Sequence, residues 1–254
     1  MKIARRLLTC MALALFLAFP LSTPGQWNKK PYTEWSEKDA KKVLNDSPWS
    51  QDQNFTDTSK NMSTTTSRGA AQSTIADVIN VTFHIRFFTA KPVRQAISRS
   101  MELQHKGELP EPLAAKLKAL ATADFPDYVI ITVTCESDRA SNMLQDAKSL
   151  FQRLTTGAIK NGTYLVAKGG QRVFLQEYQP PQNDGLGARF VFPRLVDGKP
   201  FITPESGEIL FHAELGGNSE LNTTLSNSDV ARNRFLLNTR FKVKDMMFDG
   251  KLEY

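Results

Sequence analysis

The order of patterns along this chain of 254 residues predicts an α+β fold. Segments with helical periodicity concentrate in the first half, whereas alternating and β-branched segments separated by turn signals occupy the second half. This order favours a mostly antiparallel sheet with helices packed on one face over a parallel, doubly wound sheet. We expect a leader (1–25), a Trp-rich segment with a short docking helix (26–49), a Ser/Thr-rich linker or long loop (50–74) and a single α+β domain (75–254).

The first 25 residues have the pattern of a secretory signal peptide. A basic start with Lys2, Arg5 and Arg6 precedes an apolar run from Leu7 to Phe19, and Gly25 offers a small residue for cleavage. The apolar run is shorter than the roughly 20 residues that a spanning helix needs. We therefore expect cleavage after Gly25, a periplasmic or secreted chain, and no transmembrane segment after cleavage.

Charge and cysteine content narrow the classes of function. Loss of the three basic leader residues lowers the formal net charge from +6 to +3, and the remaining basic residues are mixed with acidic ones. A nucleic-acid-binding protein would cluster them on one face, so we expect no nucleic-acid partner. Of the two cysteines only Cys135 lies beyond the leader, so stability must come from a hydrophobic core rather than from an internal disulfide.

The segment 26–49 contains all three tryptophans, Trp27, Trp35 and Trp49. Ser36 and Asp39 have the spacing of a shortened capping box and predict a helix start, and the Asn45–Pro48 region predicts its end. A helix of about two turns is marginal in isolation. The segment is therefore expected to dock on its own domain through the tryptophans. The alternative hypothesis is that the three rings form an exposed surface that binds a glycan or a partner.

The next 25 residues, 50–74, include 11 Ser or Thr and predict a linker or long loop. Alternating apolar residues at 79–87 predict the first strand of the domain, and a β-branched run at 128–135 predicts a central strand. Helices are expected from Pro92, from Pro112 and near 139–155. The second half predicts a hairpin of 163–167 with 172–178, strands at 189–193, 208–215, 235–244 and 251–254, and an irregular polar stretch at 216–233.

One strand face offers the main candidate for catalysis. In the predicted strand 208–215, Glu208, His212 and Glu214 share one face, because successive side chains of a strand point to opposite sides. A histidine with two carboxylates could bind a divalent metal or act as an acid and base. The alternative is a solvated sheet face, since the sequence places no second His or Cys to complete a metal site. We therefore expect no metal and no cofactor.

The other candidate groups favour structural roles. His84 lies on the polar face of its strand and is expected to be exposed, and His105 lies at a helix end. Cys135 shares its strand face with apolar residues, which favours a small core side chain over a nucleophile. The loops at 180–185 and 216–233 are possible binding edges.

Three segments of the chain support a resemblance. The stretch 32–49 (YTEWSEKDAKKVLNDSPW) resembles the N-terminal signature of uncharacterised exported proteins from acidobacteria, and the segments 190–194 (FVFPR) and 197–205 (DGKPFITPE) are also similar to that group. The resemblance implies a bacterial envelope setting. It implies no activity and transfers no catalytic residue.

Together these patterns favour an exported non-catalytic protein that acts in binding or in cell-envelope assembly, with an envelope protein or a glycan as its partner. One alternative is a hydrolase or metal-dependent enzyme that uses His212, Glu208 and Glu214. A second alternative is a glycan-binding module that uses Trp27, Trp35 and Trp49.

Overall fold

A computed structural model of the protein describes residues 26–57, 79–105, 109–216 and 235–254. The predicted signal peptide lies outside these residues, as do most of the stretch 216–233 and the part of the predicted linker after Asp57. The α+β class is confirmed. The described residues contain five α-helices: α1 (Glu37–Asn45), α2 (Lys91–Gln104), α3 (Glu111–Thr122), α4 (Asn142–Arg153) and α5 (Thr156–Ile159). None of the helices in these ranges has the length and hydropathy needed to cross a membrane.

Within the described ranges, the antiparallel strands divide between two main sheets and two short hairpins. In chain order they are β1 (Ser50–Asp57), β2 (Ile79–Phe87), β3 (Tyr128–Ser137), β4 (Thr163–Val166), β5 (Arg172–Phe174), β6 (Glu177–Gln179), β7 (Ala188–Pro193), β8 (Leu195–Val196), β9 (Lys199–Pro200), β10 (Glu208–Leu215), β11 (Phe235–Lys242), β12 (Met247–Phe248) and β13 (Lys251–Leu252). The five-stranded sheet has the order β1-β2-β3-β7-β6, and the four-stranded sheet has the order β11-β10-β4-β5.

Phenylalanine rings join the inner faces of the two sheets. Phe83 of β2 lies 5.1 Å from Phe235 of β11, Phe87 lies 4.7 Å from Phe241, and Phe190 of β7 lies 5.5 Å from Phe211 of β10, between ring centroids. The alternation that predicted β2 and β10 places their phenylalanines on the inner faces of the two sheets. Six rings in this layer are almost fully buried: Phe83, Phe87, Phe190, Phe211, Phe235 and Phe241. Each such ring removes a large apolar area from water, so this layer is the main source of stability.

Between β5 and β6 the chain passes from the four-stranded sheet to the five-stranded sheet within two residues. The N–H of Leu175 donates to the carbonyl of Thr163 in the four-stranded sheet, at 2.9 Å, while the N–H of Gln176 donates to Val191 in the five-stranded sheet, also at 2.9 Å. The predicted hairpin arm 172–178 is therefore correct only for its first part. Tyr178 pairs with Phe190 instead of continuing beside β4.

The first residues of the predicted linker form a strand. Residues 50–57 are β1, which pairs with β2 along its whole length, so the linker prediction is wrong there. Phe55 packs 5.1 Å from Phe83, and Thr82 donates to the side-chain carbonyl of Asn54 at 2.7 Å. Polar cross-strand partners therefore stabilise a strand that lacks the usual apolar alternation.

The edge of β1 also reaches the second sheet. The Gln53 amide donates to the carbonyl of Leu236 at 2.7 Å, and its oxygen accepts from the N–H of Asn238 at 2.8 Å. The Gln53 side chain therefore forms hydrogen bonds with the backbone of β11 in the place of a neighbouring strand. It connects the two sheets along one side.

The tryptophan segment packs against the C-terminal hairpin. Helix α1 begins at the predicted capping box, in which Ser36 and Asp39 satisfy each other's backbone N–H groups. The Trp35 indole N–H donates to the carbonyl of Trp27 at 2.8 Å, and that of Trp49 donates to Glu253 at 2.8 Å. Trp27 also stacks on Phe248 of β12, with ring centroids 6.1 Å apart. The segment is thus docked on the domain.

Candidate functional site

The strand β10 presents His212 on the outer face of the four-stranded sheet, as the alternation predicts. Its Nε2 lies 3.4 Å from Oε1 of Glu214. Glu208 is on the same face but four residues away, which is about 13 Å along a strand, and its carboxylate lies 3.7 Å from Nη1 of Arg240. The three side chains therefore do not converge. In the described part of the chain, no group of three or more His, Cys, Asp or Glu side chains is arranged to hold a metal ion.

His212 belongs instead to a row of side chains that crosses the sheet. The register aligns Phe174 of β5, Tyr164 of β4, His212 of β10 and Asn238 of β11. The imidazole of His212 stacks on the Tyr164 ring, with centroids 4.5 Å apart and an interplanar angle of 15°. Phe174 meets the Tyr164 ring edge to face at 5.6 Å, and its side chain remains 48% exposed. We call Phe174, Tyr164, His212 and Asn238 the cross-strand row.

Charged groups surround the cross-strand row. The guanidinium of Arg172 lies 4.5 Å from the centroid of the Tyr164 ring, a cation–π distance. Glu214 and Arg240 are exposed on the same face. The contacts of Tyr164 with His212 and Arg172 fix its ring and leave Phe174 as the exposed ring of the row. The face therefore combines one accessible aromatic ring with amide, carboxylate and guanidinium groups.

The three tryptophans do not form a comparable surface. Their exposed fractions are 9% for Trp27, 0% for Trp35 and 1% for Trp49. Trp27 contacts both other rings edge to face, at 5.4 and 6.3 Å between centroids. A sugar must reach the face of a ring to stack on it. The buried rings therefore do not offer the binding surface that the glycan-binding hypothesis placed on them.

His84 differs from its expected exposure. It is only 6% exposed, with Nδ1 at 2.6 Å from Asp52 of β1 and Nε2 at 3.0 Å from Glu136 of β3. A neutral imidazole has one N–H, so both contacts are hydrogen bonds only when the ring is protonated. The two carboxylates contact different ring nitrogens, so His84 connects three strands and does not share a metal with them.

Arg86 extends this polar cluster towards helix α1. Its guanidinium donates to the carbonyl of Leu44 at 2.6 Å, to Oδ1 of Asn45 at 2.9 Å and to Oγ1 of Thr134 at 2.9 Å. Desolvation lowers the pKa of Arg86. These contacts hold the C-terminal end of α1 against the five-stranded sheet, so the cluster has a structural role that the sequence did not indicate.

Cys135 lines a pocket of about 470 Å³ between β3, helix α4 and the loop 181–187. Its side chain is half-buried and packs against the core, so it lies at the pocket wall, whereas the sequence predicted a core side chain. Burial raises the pKa of the Cys135 thiol to about 11, so the thiol is neutral at pH 7 and a poor nucleophile. The loop at 180–185, predicted as a binding edge, supplies part of the pocket wall.

Comparison with known proteins gave no match to a protein-family model, to a curated protein or to a solved structure. The geometry of the described residues must therefore carry any functional inference. Sequence reasoning found His212 and its face but missed Phe174 and Tyr164. Both residues lie in short predicted strands next to Gly-containing turns. This pattern predicts the strands, but only the register shows that the two aromatic rings lie on the outer face.

Proposed function

We propose that this chain is an exported, non-catalytic binding protein of the cell envelope, and that it binds an envelope polysaccharide on the outer face of the four-stranded sheet. The pattern of residues 1–25 supports export to the periplasm or beyond, and the resemblance of residues 32–49 supports a bacterial envelope setting. The observation that carries the binding site is the exposed Phe174 ring at the end of the ordered cross-strand row.

The chemistry of this face suits a sugar polymer. A pyranose ring presents apolar C–H groups that pack on an aromatic face, and hydroxyls that exchange hydrogen bonds with amides and charged groups. Phe174 supplies the ring, while Asn238 and Arg240 lie exposed on the same sheet face. A protein interface core would favour a larger and less charged apolar patch. His212 and Arg172 already hold the Tyr164 ring in place. Binding therefore needs to order fewer side chains, which lowers its entropic cost.

Co-sedimentation with purified peptidoglycan sacculi tests this proposal. We expect the native protein to pellet with sacculi and Phe174→Ala to bind them with a Kd about ten-fold higher, which corresponds to about 1.4 kcal/mol. Tyr128→Ala is the matched control, because Tyr128 is an exposed aromatic residue of the other sheet, at 41% exposure. Failure of the native protein to pellet, or equal pelleting of the native protein and Phe174→Ala, would contradict the proposal. Retention on an envelope protein in place of sacculi would point to a protein partner.

A further inference from the structure

We propose that the pocket beside Cys135 is a second binding site, for a small monocarboxylate with a short apolar chain. Its volume of about 470 Å³ is within the range of small-molecule sites, roughly 300–1,000 Å³. Its lining comes from β3, helix α4 and the loop 181–187, and so does not include the cross-strand row. This inference is independent of polysaccharide binding.

The lining separates into an apolar part and a polar part. Cys135 and Pro181 are partly exposed and provide the accessible apolar surface, and the buried Val133 and Phe151 lie behind it. Lys148 is the one charged side chain among the described residues that line the pocket, and amides of Gln152, Gln182 and Asn183 join it. A cation with amide donors and no lining carboxylate favours an anionic group on the ligand. The apolar surface favours a hydrocarbon chain attached to that group.

Contacts within the protein shape the pocket before any ligand enters. The Gln152 amide donates to the carbonyl of Pro181 at 3.1 Å and ties the loop to helix α4. Asp184 accepts from the N–H of Leu186 at 3.0 Å and forms an ion pair with Arg189. Gly187 has a φ of 78°, and a Cβ there would overlap the Val133 carbonyl oxygen. The loop therefore lies directly against β3, and a ligand need not order it on binding.

Cys135 provides a reporter inside this pocket. The thiol lies close enough to Lys148 for the ammonium to act on its ionisation, although burial dominates and keeps it protonated at neutral pH. A neutral thiol adds a small apolar surface to the wall. A bound ligand must cover it and slow its alkylation.

The test uses octanoate as the probe and measures the slow alkylation of Cys135 by iodoacetamide at pH 8.5 over hours, because the raised pKa leaves little thiolate at neutral pH. Each variant is compared with its own rate without ligand, and peptide mass spectrometry identifies the modified residue. We expect octanoate to slow this alkylation in a saturable way, and octylammonium, which has the same chain and the opposite charge, to have no such effect. Lys148→Met should raise the half-protecting octanoate concentration about ten-fold, because it removes the charge and keeps the chain length. Lys116→Met, an exposed lysine of helix α3, should behave as the native protein.

Three results would overturn the proposal. They are no protection by octanoate, equal protection by octylammonium, and equal half-protecting concentrations for the native protein and Lys148→Met. Lys148 is exposed, so its substitution should not impair folding. Thermal melting of both lysine variants checks this, and saturation-transfer NMR of octanoate gives a second measurement that does not depend on thiol reactivity.

Discussion

At the scale of single residues, the bridge formed by His84 joins three neighbouring strands. Asp52 of β1 and Glu136 of β3 each contact one of the two ring nitrogens. Asp52 is partly buried, at 36% side-chain exposure, whereas Glu136 is mostly in solvent, at 72%. The contact with Asp52 is therefore the less screened of the two and stabilises the fold more.

His84→Ala should reduce the free energy of unfolding by about 1–3 kcal/mol, because it removes both contacts and leaves the Asp52 carboxylate without its ring partner. His105→Ala is the matched control, since His105 is exposed at the end of helix α2, and it should change stability by less than about 0.5 kcal/mol. Urea denaturation at pH 6 measures both. Equal effects of the two substitutions would show that the bridge does not stabilise the fold.

Asp39 gives a prediction that depends on pH. The hydrogen bond from the Lys30 ammonium, at 2.7 Å, is the main reason that the pKa of Asp39 falls to about 2, and Ser36 lowers it further. A carboxyl whose pKa is lowered by folding stabilises the folded state above its unfolded value of about 3.9, and this contribution is lost as the pH falls towards 2.

Asp39→Asn should therefore cost about 1 kcal/mol at pH 7, a value limited by solvent screening at this partly exposed site. The difference from the native protein should shrink between pH 4 and pH 2, as the native carboxyl is protonated. Denaturation curves across this range measure it, with the exposed Asp138→Asn as control. A difference that stays constant down to pH 2 would show that the ionised carboxylate is not the stabilising group.

Strand alternation alone predicts which face of the sheet a residue lies on, and it does so for His212 and Cys135. The surroundings of His84 could not be predicted in this way. Alternation places it on a polar face, but its burial depends on β1. Phe55 is the one large apolar residue of β1, so the sequence there predicts a linker and not a strand. Without β1, Asp52 had no predicted position near His84.

At the scale of elements, the tryptophan segment is held by its buried rings together with the contacts of its short helix. Trp35 is fully buried, and its backbone carbonyl accepts from Nε of Arg99 in helix α2 at 2.8 Å. The indole N–H also has backbone partners at 2.8 and 3.1 Å. A substitution at Trp35 therefore reports on docking of the whole segment.

Trp35→Ala should lower the free energy of unfolding by about 3–5 kcal/mol, the cost expected for removal of a large buried ring. Tyr128→Ala, which removes a large ring from an exposed site, should cost about 1 kcal/mol or less. Chemical denaturation followed by circular dichroism avoids the loss of tryptophan signal. A cost for Trp35→Ala as small as that of Tyr128→Ala would mean that the segment contributes little to the fold.

Two glycines of the pocket loop form a matched pair. Gly185 and Gly187 have φ values of 73° and 78°, but only Gly187 meets the neighbouring strand, where an added Cβ would also lie 2.7 Å from Cγ2 of Thr134. Gly185→Ala should cost about 1 kcal/mol from the backbone conformation alone. Gly187→Ala should cost about 1–3 kcal/mol more because of the overlap. Equal shifts of the urea midpoint would contradict the close approach of the loop to β3.

The sequence predicted the elements that have strong local signals. The capping box located α1, prolines located the starts of α2 and α3, and alternation located β2 and β10. It did not separate β5 from β6, because the exchange between sheets occurs at Leu175 and Gln176 without a turn residue. Such an exchange depends on which carbonyls are within reach, and this is a property of the tertiary structure.

At the scale of the whole molecule, the two sheets enclose one phenylalanine-rich core and leave the outer face of the four-stranded sheet in solvent. That face carries the predicted His212 side chain, but the register assembles the cross-strand row from strands that are distant in sequence. The row could not be inferred before the pairing of β4 with β5 and β10 was known. Its exposed ring, Phe174, is the centre of the proposed function.

Hydroxyl-radical footprinting of the protein with soluble glycan fragments released from sacculi tests polysaccharide binding on this face most directly. The proposal predicts that the fragments protect Phe174 and Tyr164 from oxidation and leave Tyr128, on the other sheet, as reactive as in the free protein. Unchanged oxidation of Phe174 in the presence of bound fragments, or equal protection of Tyr128, would contradict it.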